Sequence, residues 1–178
     1  MTRVMGIDLG IKKVAYALWE DGPRGGNQQL LGAEAYESHA PDRPTQLMDL
    51  GDFIYEAAHH THLDYVFIED TLIGNNRKYS IQLAQTMGSV LSSLALLRAE
   101  AGVEIFTVNV STWKKQVVGN GNAAKTLVKN HIDVVHSAYA VLCEGDQDRY
   151  DAACIGLYGL SVHDRARVLT AAPSRTAS

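Results

Sequence analysis

Hydrophobic residues change their spacing part-way along this 178-residue chain, and the change restricts the fold. In the N-terminal part, short apolar runs are separated by turn-forming residues, as in successive antiparallel strands. After Pro44, apolar residues recur every three or four positions, which is typical of amphipathic helices, and these stretches alternate with two further strand-like runs. The predicted strands are residues 3–8, 13–19, 29–37, 64–69 and 104–110. This order predicts an α/β domain with a mixed five-stranded sheet, three antiparallel strands followed by two parallel ones, flanked by helices.

Length and composition indicate one globular domain. Apolar residues make up 46% of the chain and charged residues 20%, which excludes a disordered or fibrous chain. We expect the domain to span residues 1–164 and to be followed by a flexible tail at 165–178. The unbroken apolar runs are only a few residues long, so we expect no segment that crosses a membrane. Two cysteines are too few for a disulfide framework, and we expect Cys143 and Cys154 to be reduced, buried and in the cytosol.

The charge is unevenly distributed. The whole chain has a net charge of −4, whereas residues 71–130 carry seven basic and two acidic residues, and therefore +5. The middle third of the chain could form a surface that binds a polyanion. Lysines on solvated helix faces would give the same count, and charge alone leaves both interpretations open.

Four acidic residues occupy positions where their side chains could meet. Asp8 and Glu69 end two predicted strands, and Asp148 and Asp151 lie three apart at the start of the last predicted helix, with Asp146 as an outside candidate for the same role. Such a cluster repels itself unless cations are present, and carboxylates are the ligands that Mg²⁺ or Mn²⁺ prefers. A pair of these ions would suit phosphodiester hydrolysis. Taken singly, each acid could instead cap a turn, pair with a lysine or favour a helix N-terminus.

Five sequence segments resemble, in the same order, parts of a known nuclease family. They are GIDLG at 6–10, FIED at 67–70, NRKYSIQLAQTMGSVLSSLA at 76–95, VSTWKKQVVGNGNAAK at 110–125 and DRYDAA at 148–153. The first, second and last are similar to the ribonuclease-H-like nuclease core. The combination resembles the RuvC-like Holliday junction resolvases and covers about residues 3–160.

The resemblance implies a dimeric, metal-dependent endonuclease that nicks opposed strands of a four-way DNA junction. Asp8, Glu69, Asp148 and Asp151 match the family's metal-binding acids, with two Mg²⁺ ions, or Mn²⁺ as substitute, at each active site. The long helix at 78–100 matches the helix through which family members dimerise. A bacterial or phage-infected cytosol would be the location, and the need for a branch-migration motor is left open.

The expected DNA-binding side of the chain is basic. Lys114, Lys115 and Lys125 match the family's DNA-facing lysines, and Lys129 lies one turn beyond Lys125 on the same predicted helix. The glycine-rich turn at 119–122 leads into that helix, which we expect to begin near residue 122 with its N-terminus towards phosphate. Glycine turns with solvated lysines are the simpler alternative.

The segment after Glu69 departs from the family pattern. Family members carry an aromatic residue there that stacks at the junction core, whereas residues 70–74 contain none, and Leu72 could contact bases only through apolar packing. This departure would allow a broader range of branched DNA. Arg77 and Lys78 open the long helix close to Glu69 in sequence and could guide the DNA strand.

Two other classes of protein are compatible with parts of the pattern. An actin-like or sugar-kinase ATPase also opens with an acid and a glycine after a strand, but it needs a second, similar half. A DNA-binding module without catalysis could keep the same fold. Cleavage of a labelled four-way junction distinguishes these alternatives.

Overall fold

One sheet organises the molecule. A computed structural model describes residues 1–22, 28–70 and 76–171, with residues 164–171 described by backbone alone. Within these ranges the strands are β1 (Thr2–Leu9), β2 (Lys13–Asp21), β3 (Gln29–Glu37), β4 (Tyr65–Glu69) and β5 (Glu104–Val108). All five predicted strands are therefore present, with their ends within two residues of the predicted bounds.

The strand order is β3-β2-β1-β4-β5. β1 pairs antiparallel with β2, and β2 pairs antiparallel with β3, whereas β1, β4 and β5 run parallel. A tight turn joins the first two strands, in which the Gly10 N–H donates to the Lys13 carbonyl at 2.7 Å. Parallel neighbours need longer crossovers, and helices supply them. The mixed sheet predicted from the hydrophobic pattern is confirmed.

Helices cover both faces of the sheet. They are α1 (Arg43–His59), α2 (Arg77–Ala101), α3 (Val110–Val117), α4 (Lys125–Val135), α5 (Ala140–Cys143) and α6 (Gln147–Ala171), with a 3₁₀ turn at Ser137–Tyr139. α1 and α2 pack on one face around Leu50, Ile54 and Leu94, and α3, α4 and α6 pack on the other around Trp113 and Ile155. The sheet therefore separates two apolar cores, as expected for an α/β domain.

Asparagine side chains determine where α3 and α4 begin. Asn109 caps α3, because its side chain accepts the Ser111 N–H at 2.9 Å. α4 begins at Lys125, not near residue 122, because the Asn120 side chain accepts the Asn122 N–H at 3.0 Å and keeps that segment in a turn. Of residues 122–125, only Lys125 therefore belongs to the helix, as its first residue.

The last helix is longer than expected. The sequence predicts a flexible tail from residue 165 onwards, whereas the helical backbone of α6 continues to Ala171. The intervening sequence has no glycine, and the first proline is Pro173, so nothing in it interrupts a helix. The predicted domain boundary at residue 164 falls inside this helix, and residues 172–178 lie outside the described residues.

α2 is unusually apolar for a helix with so much exposed surface. Among the described residues it is the one helix long and apolar enough, by length and composition, to cross a membrane. Of its most apolar 18-residue stretch, 28% is buried. The length of unbroken apolar runs did not reveal this helix, because serine and glycine interrupt the runs in α2 without adding charge. Val90, Leu94 and Leu97 of α2 nevertheless belong to the core beneath the sheet.

α6 lies almost in backbone contact with β1. A Cβ atom on Gly6 would stand 2.2 Å from the Ala152 carbonyl oxygen and 2.3 Å from the Gly156 nitrogen. A Cβ on Gly156 would stand 2.5 Å from the Trp19 ring. Only glycine allows this approach, because any side chain at either position would push the helix away from the sheet. The contact fixes the start of α6 close to the end of β1.

Candidate active site

The first two acids lie at the carboxyl ends of neighbouring parallel strands. Ile7 of β1 is paired with Ile68 of β4, so Asp8 and Glu69 follow one position later on adjacent strands. Side chains alternate between the two faces of a strand, which places Asp8 on the same face as Gly6. Because Gly6 contacts α6, Asp8 and its neighbour Glu69 face the helix that carries the remaining two acids.

The four acids converge electrostatically around Asp8. Burial raises the pKa of Asp8 well above its usual range, and the nearby charges of Glu69, Asp151 and Asp148 raise it further. The Lys125 ammonium acts in the opposite direction. The structure therefore brings together the four acids that the sequence selected, as strand ends and a helix start on one face of a sheet would do.

Two of the acids are held by neutral hydrogen-bond donors. The Trp113 indole N–H donates to Glu69 Oε2 at 3.0 Å, and the Gln147 amide donates to Asp151 Oδ1 at 2.9 Å. Burial raises the pKa of both carboxyl groups, whereas these hydrogen bonds act against the shift. Trp113 is fully buried in the core, and the sequence analysis does not predict its bond to Glu69. Local sequence does not indicate which distant side chain will form such a hydrogen bond, because the pairing depends on how the elements pack together.

The remaining aspartate is engaged by a lysine. Lys13 Nζ lies 2.8 Å from Asp148 Oδ2 and 2.6 Å from Asp146 Oδ2. The other oxygen of Asp146 accepts the Asp148 N–H at 2.9 Å and so caps the start of α6. Burial alone would lower the pKa of Lys13, but its bonds to both aspartates outweigh that effect and raise it. Sequence reasoning did not identify Lys13.

The carboxylates have the right chemistry for hard divalent cations, but they are not yet arranged around one. Within residues 1–22, 28–70 and 76–171, no three His, Cys, Asp or Glu side chains are positioned to hold a metal ion as they stand. Asp148 and Asp151 are engaged by Lys13 and Gln147 instead. A cation among these acids would relieve the mutual repulsion that raises the pKa of Asp8. The residues therefore fit a divalent metal centre chemically.

Two of the sequence-selected lysines lie near enough to the acids to act on their charge. Lys114 donates to the Ala123 carbonyl at 3.1 Å, and Lys125 begins α4. Both ammonium groups act to lower the pKa of Glu69 and Asp151. Lys115 lines a surface cavity of about 480 Å³ next to α3, together with Ser111, Thr112 and Gln116.

The other predicted DNA contacts are placed differently. Arg77 and Lys78 are exposed in the first turn of α2, and Leu72 lies outside the described residues. Lys129 forms bonds within the protein, because its ammonium lies 2.6 Å from Asp133 Oδ2 and 3.0 Å from the Tyr150 hydroxyl. The bond to Asp133 lies within α4, whereas the bond to Tyr150 joins α4 to α6.

Comparison with known proteins places the chain in a family. The family model for the crossover junction endodeoxyribonuclease RuvC matches residues 4–150. The chain belongs to the RuvC family. RuvC of Salinibacter ruber is 26% identical over 162 residues, which cover 83% of this chain and 87% of that one. RuvC of Helicobacter hepaticus is 32% identical over 126 residues, or 70% and 65% of the two chains.

Solved structures confirm the RuvC fold. The Thermus thermophilus RuvC structure superposes with a TM-score of 0.72 at 20% identity, covering 92% of this chain and 97% of that one. The same protein in complex with a Holliday junction substrate gives a TM-score of 0.70 at 18% identity over 92% and 96% of the chains. The yeast mitochondrial Holliday junction resolvase gives 0.64 at 13% identity over 95% and 86%. The ribonuclease-H-like mixed sheet predicted from sequence is thus confirmed.

Proposed function

We propose that this RuvC-family endonuclease cuts Holliday junctions with two divalent ions, Mg²⁺ or Mn²⁺, held by Asp8, Glu69, Asp148 and Asp151. The observation that carries the proposal is the placement of Asp8 and Glu69 at the ends of two neighbouring strands, on the face that the helix carrying Asp148 and Asp151 covers. Burial first, and then the charges of the other three acids, raise the pKa of Asp8, which is consistent with this placement. The matched RuvC family supports the reaction and the substrate. An ATPase and a non-catalytic module are not favoured by these matches.

Asp8 occupies the central position in the proposed site, because the other three acids all act on it. When bound, the two ions supply an activated water and stabilise the leaving oxygen of the phosphodiester. Trp113 and Gln147 keep Glu69 and Asp151 oriented. We expect Lys114 and Lys125 to contact the scissile phosphate, because their charges already act on these acids.

The test uses a labelled four-way junction, Mg²⁺ and one matched pair of variants. We expect paired nicks from the wild type, and cleavage slowed by more than about 100-fold in Asp8→Asn while the junction is still bound. Asp52→Asn makes the same change on an exposed position of α1 and should cut normally. Junction binding without cleavage by the wild type would contradict the proposal, as would ATP hydrolysis without nicking.

The proposed DNA surface consists of Arg77, Lys78, Lys114, Lys115 and Lys125, with Leu72 as the proposed apolar contact to bases. The logarithm of the DNA-binding constant falls linearly with the logarithm of the salt concentration. Each lysine that contacts a phosphate makes this slope steeper by about one unit. We expect Lys125→Met to reduce this slope. Lys129→Met should leave it unchanged and lower thermal stability, because the Lys129 ammonium is already bonded to Asp133 and Tyr150. A reduced slope for Lys129→Met would instead support the predicted contact between Lys129 and DNA.

We also propose a homodimer formed through α2. One face of this helix exposes apolar or small residues at spacings of three and four, namely Ile81, Ala84, Gly88, Ser92 and Ala95. A Cβ at Gly88 would meet nothing within 4 Å, so the face is open to a second subunit. Two equivalent active sites would account for paired nicks in a symmetric junction. The two buried free thiols, Cys143 and Cys154, fit a reducing cytosol, where we place the protein.

A further inference from the structure

Lys13 lies inside the acidic cluster because of its strand position. Residues 15, 17 and 19 of β2 belong to the core beneath α6, and Lys13 is two residues before the first of these. Alternation along the strand therefore places Lys13 on the face covered by α6. Asp8 is paired with Ala15, so Lys13 lies at the same end of the sheet as Asp8.

The Lys13 ammonium forms two ion pairs at the start of α6. It lies 2.6 Å from Asp146 Oδ2 and 2.8 Å from Asp148 Oδ2. Asp148 is one of the proposed metal ligands, whereas Asp146 caps the helix with its other oxygen. A divalent ion that uses Asp148 Oδ2 must therefore take that oxygen from the ammonium.

The geometry points to Lys13 as a resident counter-ion that competes with one of the two divalent ions for Asp148. The inference rests on the proposed function, because it requires a divalent ion among these four acids. Asp146 supports this role of Lys13, because its own ion pair with the ammonium keeps the ammonium next to Asp148. The three side chains are each about a third exposed, at 31%, 27% and 31%, so water screens the ion pairs and a doubly charged ion can displace the ammonium.

This competition makes the two metal positions unequal. In the part of the chain that the structure describes, no ammonium is bonded to Asp8, Glu69 or Asp151, on which Lys114 and Lys125 act only at longer range. An ion that also needs Asp148 must displace the bonded Lys13 ammonium. The two ions should therefore bind with separate affinities, and the weaker site should be the one that Lys13 controls. Complete loading would then require a higher metal concentration or the added negative charge of a DNA phosphate.

The decisive experiment measures Mn²⁺ binding to the metal-free, full-length protein without DNA, by calorimetry and by the spectroscopic signal of free Mn²⁺. We expect Lys13→Met to tighten the weaker of two Mn²⁺ sites by about three- to tenfold, because a competing positive charge is removed. Lys13→Gln should give the same result and provides a second chance of a well-folded variant. Lys12→Met makes an identical change at the neighbouring exposed residue and should leave both affinities unchanged.

A double variant separates competition from a general change of charge. Lys13→Met combined with Asp146→Asn keeps the net charge of the wild type, and asparagine can still cap α6 through its oxygen. We expect this protein to bind the weaker Mn²⁺ more tightly than the wild type does. Affinity equal to that of the wild type would overturn competition and leave only an effect of net charge.

The outcomes distinguish this inference from the proposed function. If Lys13→Met and Lys13→Gln bind Mn²⁺ no more tightly than the wild type while Asp8→Asn abolishes binding, the metal centre stands and the role of Lys13 is overturned. Weaker binding by the Lys13 variants would likewise overturn it and show that the lysine positions Asp148 for the metal. If the wild type does not bind Mn²⁺, both the metal centre and this inference fail.

Discussion

At the scale of single residues, Asp8 should make the metal-free protein sensitive to pH. Its pKa is raised well above the usual 3.8, so the folded protein keeps a proton that the unfolded chain has lost. Stability of the metal-free protein should therefore fall as pH rises from about 4 towards the raised value, and stay low above it. We expect Asp8→Asn to be more stable than the wild type at about pH 8 in the presence of a chelator, with the difference vanishing near pH 4.

Urea denaturation at several pH values measures this difference. Added Mn²⁺ should stabilise the wild type at high pH and have little effect on Asp8→Asn, because metal binding stabilises only a folded state that offers the site. Equal stabilities of the two proteins at high pH without metal would show that burial and the neighbouring acids do not raise the pKa of Asp8.

Trp113 gives a second prediction at the same scale. Trp113→Phe keeps a buried aromatic ring but removes the N–H that holds Glu69. Loss of a partner that orients a metal ligand typically costs about 10- to 100-fold in activity or metal affinity, and we expect that loss in cleavage rate. Junction affinity measured on gels should change little.

Trp19→Phe is the matched control for this substitution. Trp19 is also fully buried, and its indole N–H donates to the Ala153 carbonyl at 2.9 Å rather than to an acid. Both variants should lose about 1 kcal/mol of stability with the hydrogen bond, but only Trp113→Phe should lose most of its cleavage rate. Similar cleavage losses in both would attribute the effect to stability alone.

Sequence reasoning found the acids because their positions are local properties. Asp8 and Glu69 follow apolar runs, and the Asp148–Asp151 spacing lies at the start of a helical pattern. Their partners Lys13 and Trp113 depend on which elements pack together, so no local pattern distinguishes them. Strand alternation would have placed Lys13 on the face of Ala15, but the helix that covers this face becomes known only from the fold.

At the scale of elements, the contact between β1 and α6 depends on missing side chains. Gly6→Ala would place a methyl group 2.2 Å from a carbonyl oxygen that belongs to the backbone and cannot rotate away. Overpacking of this kind costs about 1–3 kcal/mol and sometimes more. We expect Gly6→Ala to lower stability by at least that amount and to lower the cleavage rate of the folded fraction, since Asp148 and Asp151 move with α6.

Gly32→Ala provides the control within the same sheet. Gly32 lies in β3, and a Cβ there would meet nothing within 4 Å. We expect this substitution to leave stability unchanged or slightly improved, because alanine restricts the unfolded chain. Thermal unfolding of the two variants tests the contrast, and a mild effect of Gly6→Ala would mean that α6 can lift without cost.

Element boundaries show where sequence patterns stop being sufficient. Strands were predicted well because apolar alternation extends through them, as in β3 at Gln29–Glu37. The start of α4 was placed early, because the turn after Gly119 is held by the Asn120 side chain rather than by a helix cap. Turn and helix starts use the same residue types, so local sequence did not separate them.

At the scale of the whole molecule, the exposed face of α2 should determine the oligomeric state. Gly88→Arg places a long charged side chain on the proposed interface, and the position has open space, so the monomer should fold normally. We expect light scattering to show a dimer for the wild type and a monomer for this variant. Because a monomer has one active site, the paired nicks should become single, uncoordinated ones.

Met48→Arg is the corresponding control, since Met48 is 65% exposed on a different helix, α1. It should remain dimeric and make paired nicks. A Gly88→Arg protein that keeps the mass of a dimer would place the interface elsewhere on the molecule.

The direct seating of α6 on β1 also has a consequence for heat inactivation. No flexible side chain lies between Gly6 and the backbone of Ala152 and Gly156 to yield gradually as temperature rises. The spacing of Asp8 from Asp148 and Asp151 should therefore stay fixed until the whole helix detaches. We expect cleavage to persist almost undiminished up to the melting transition and then to vanish within a narrow temperature interval.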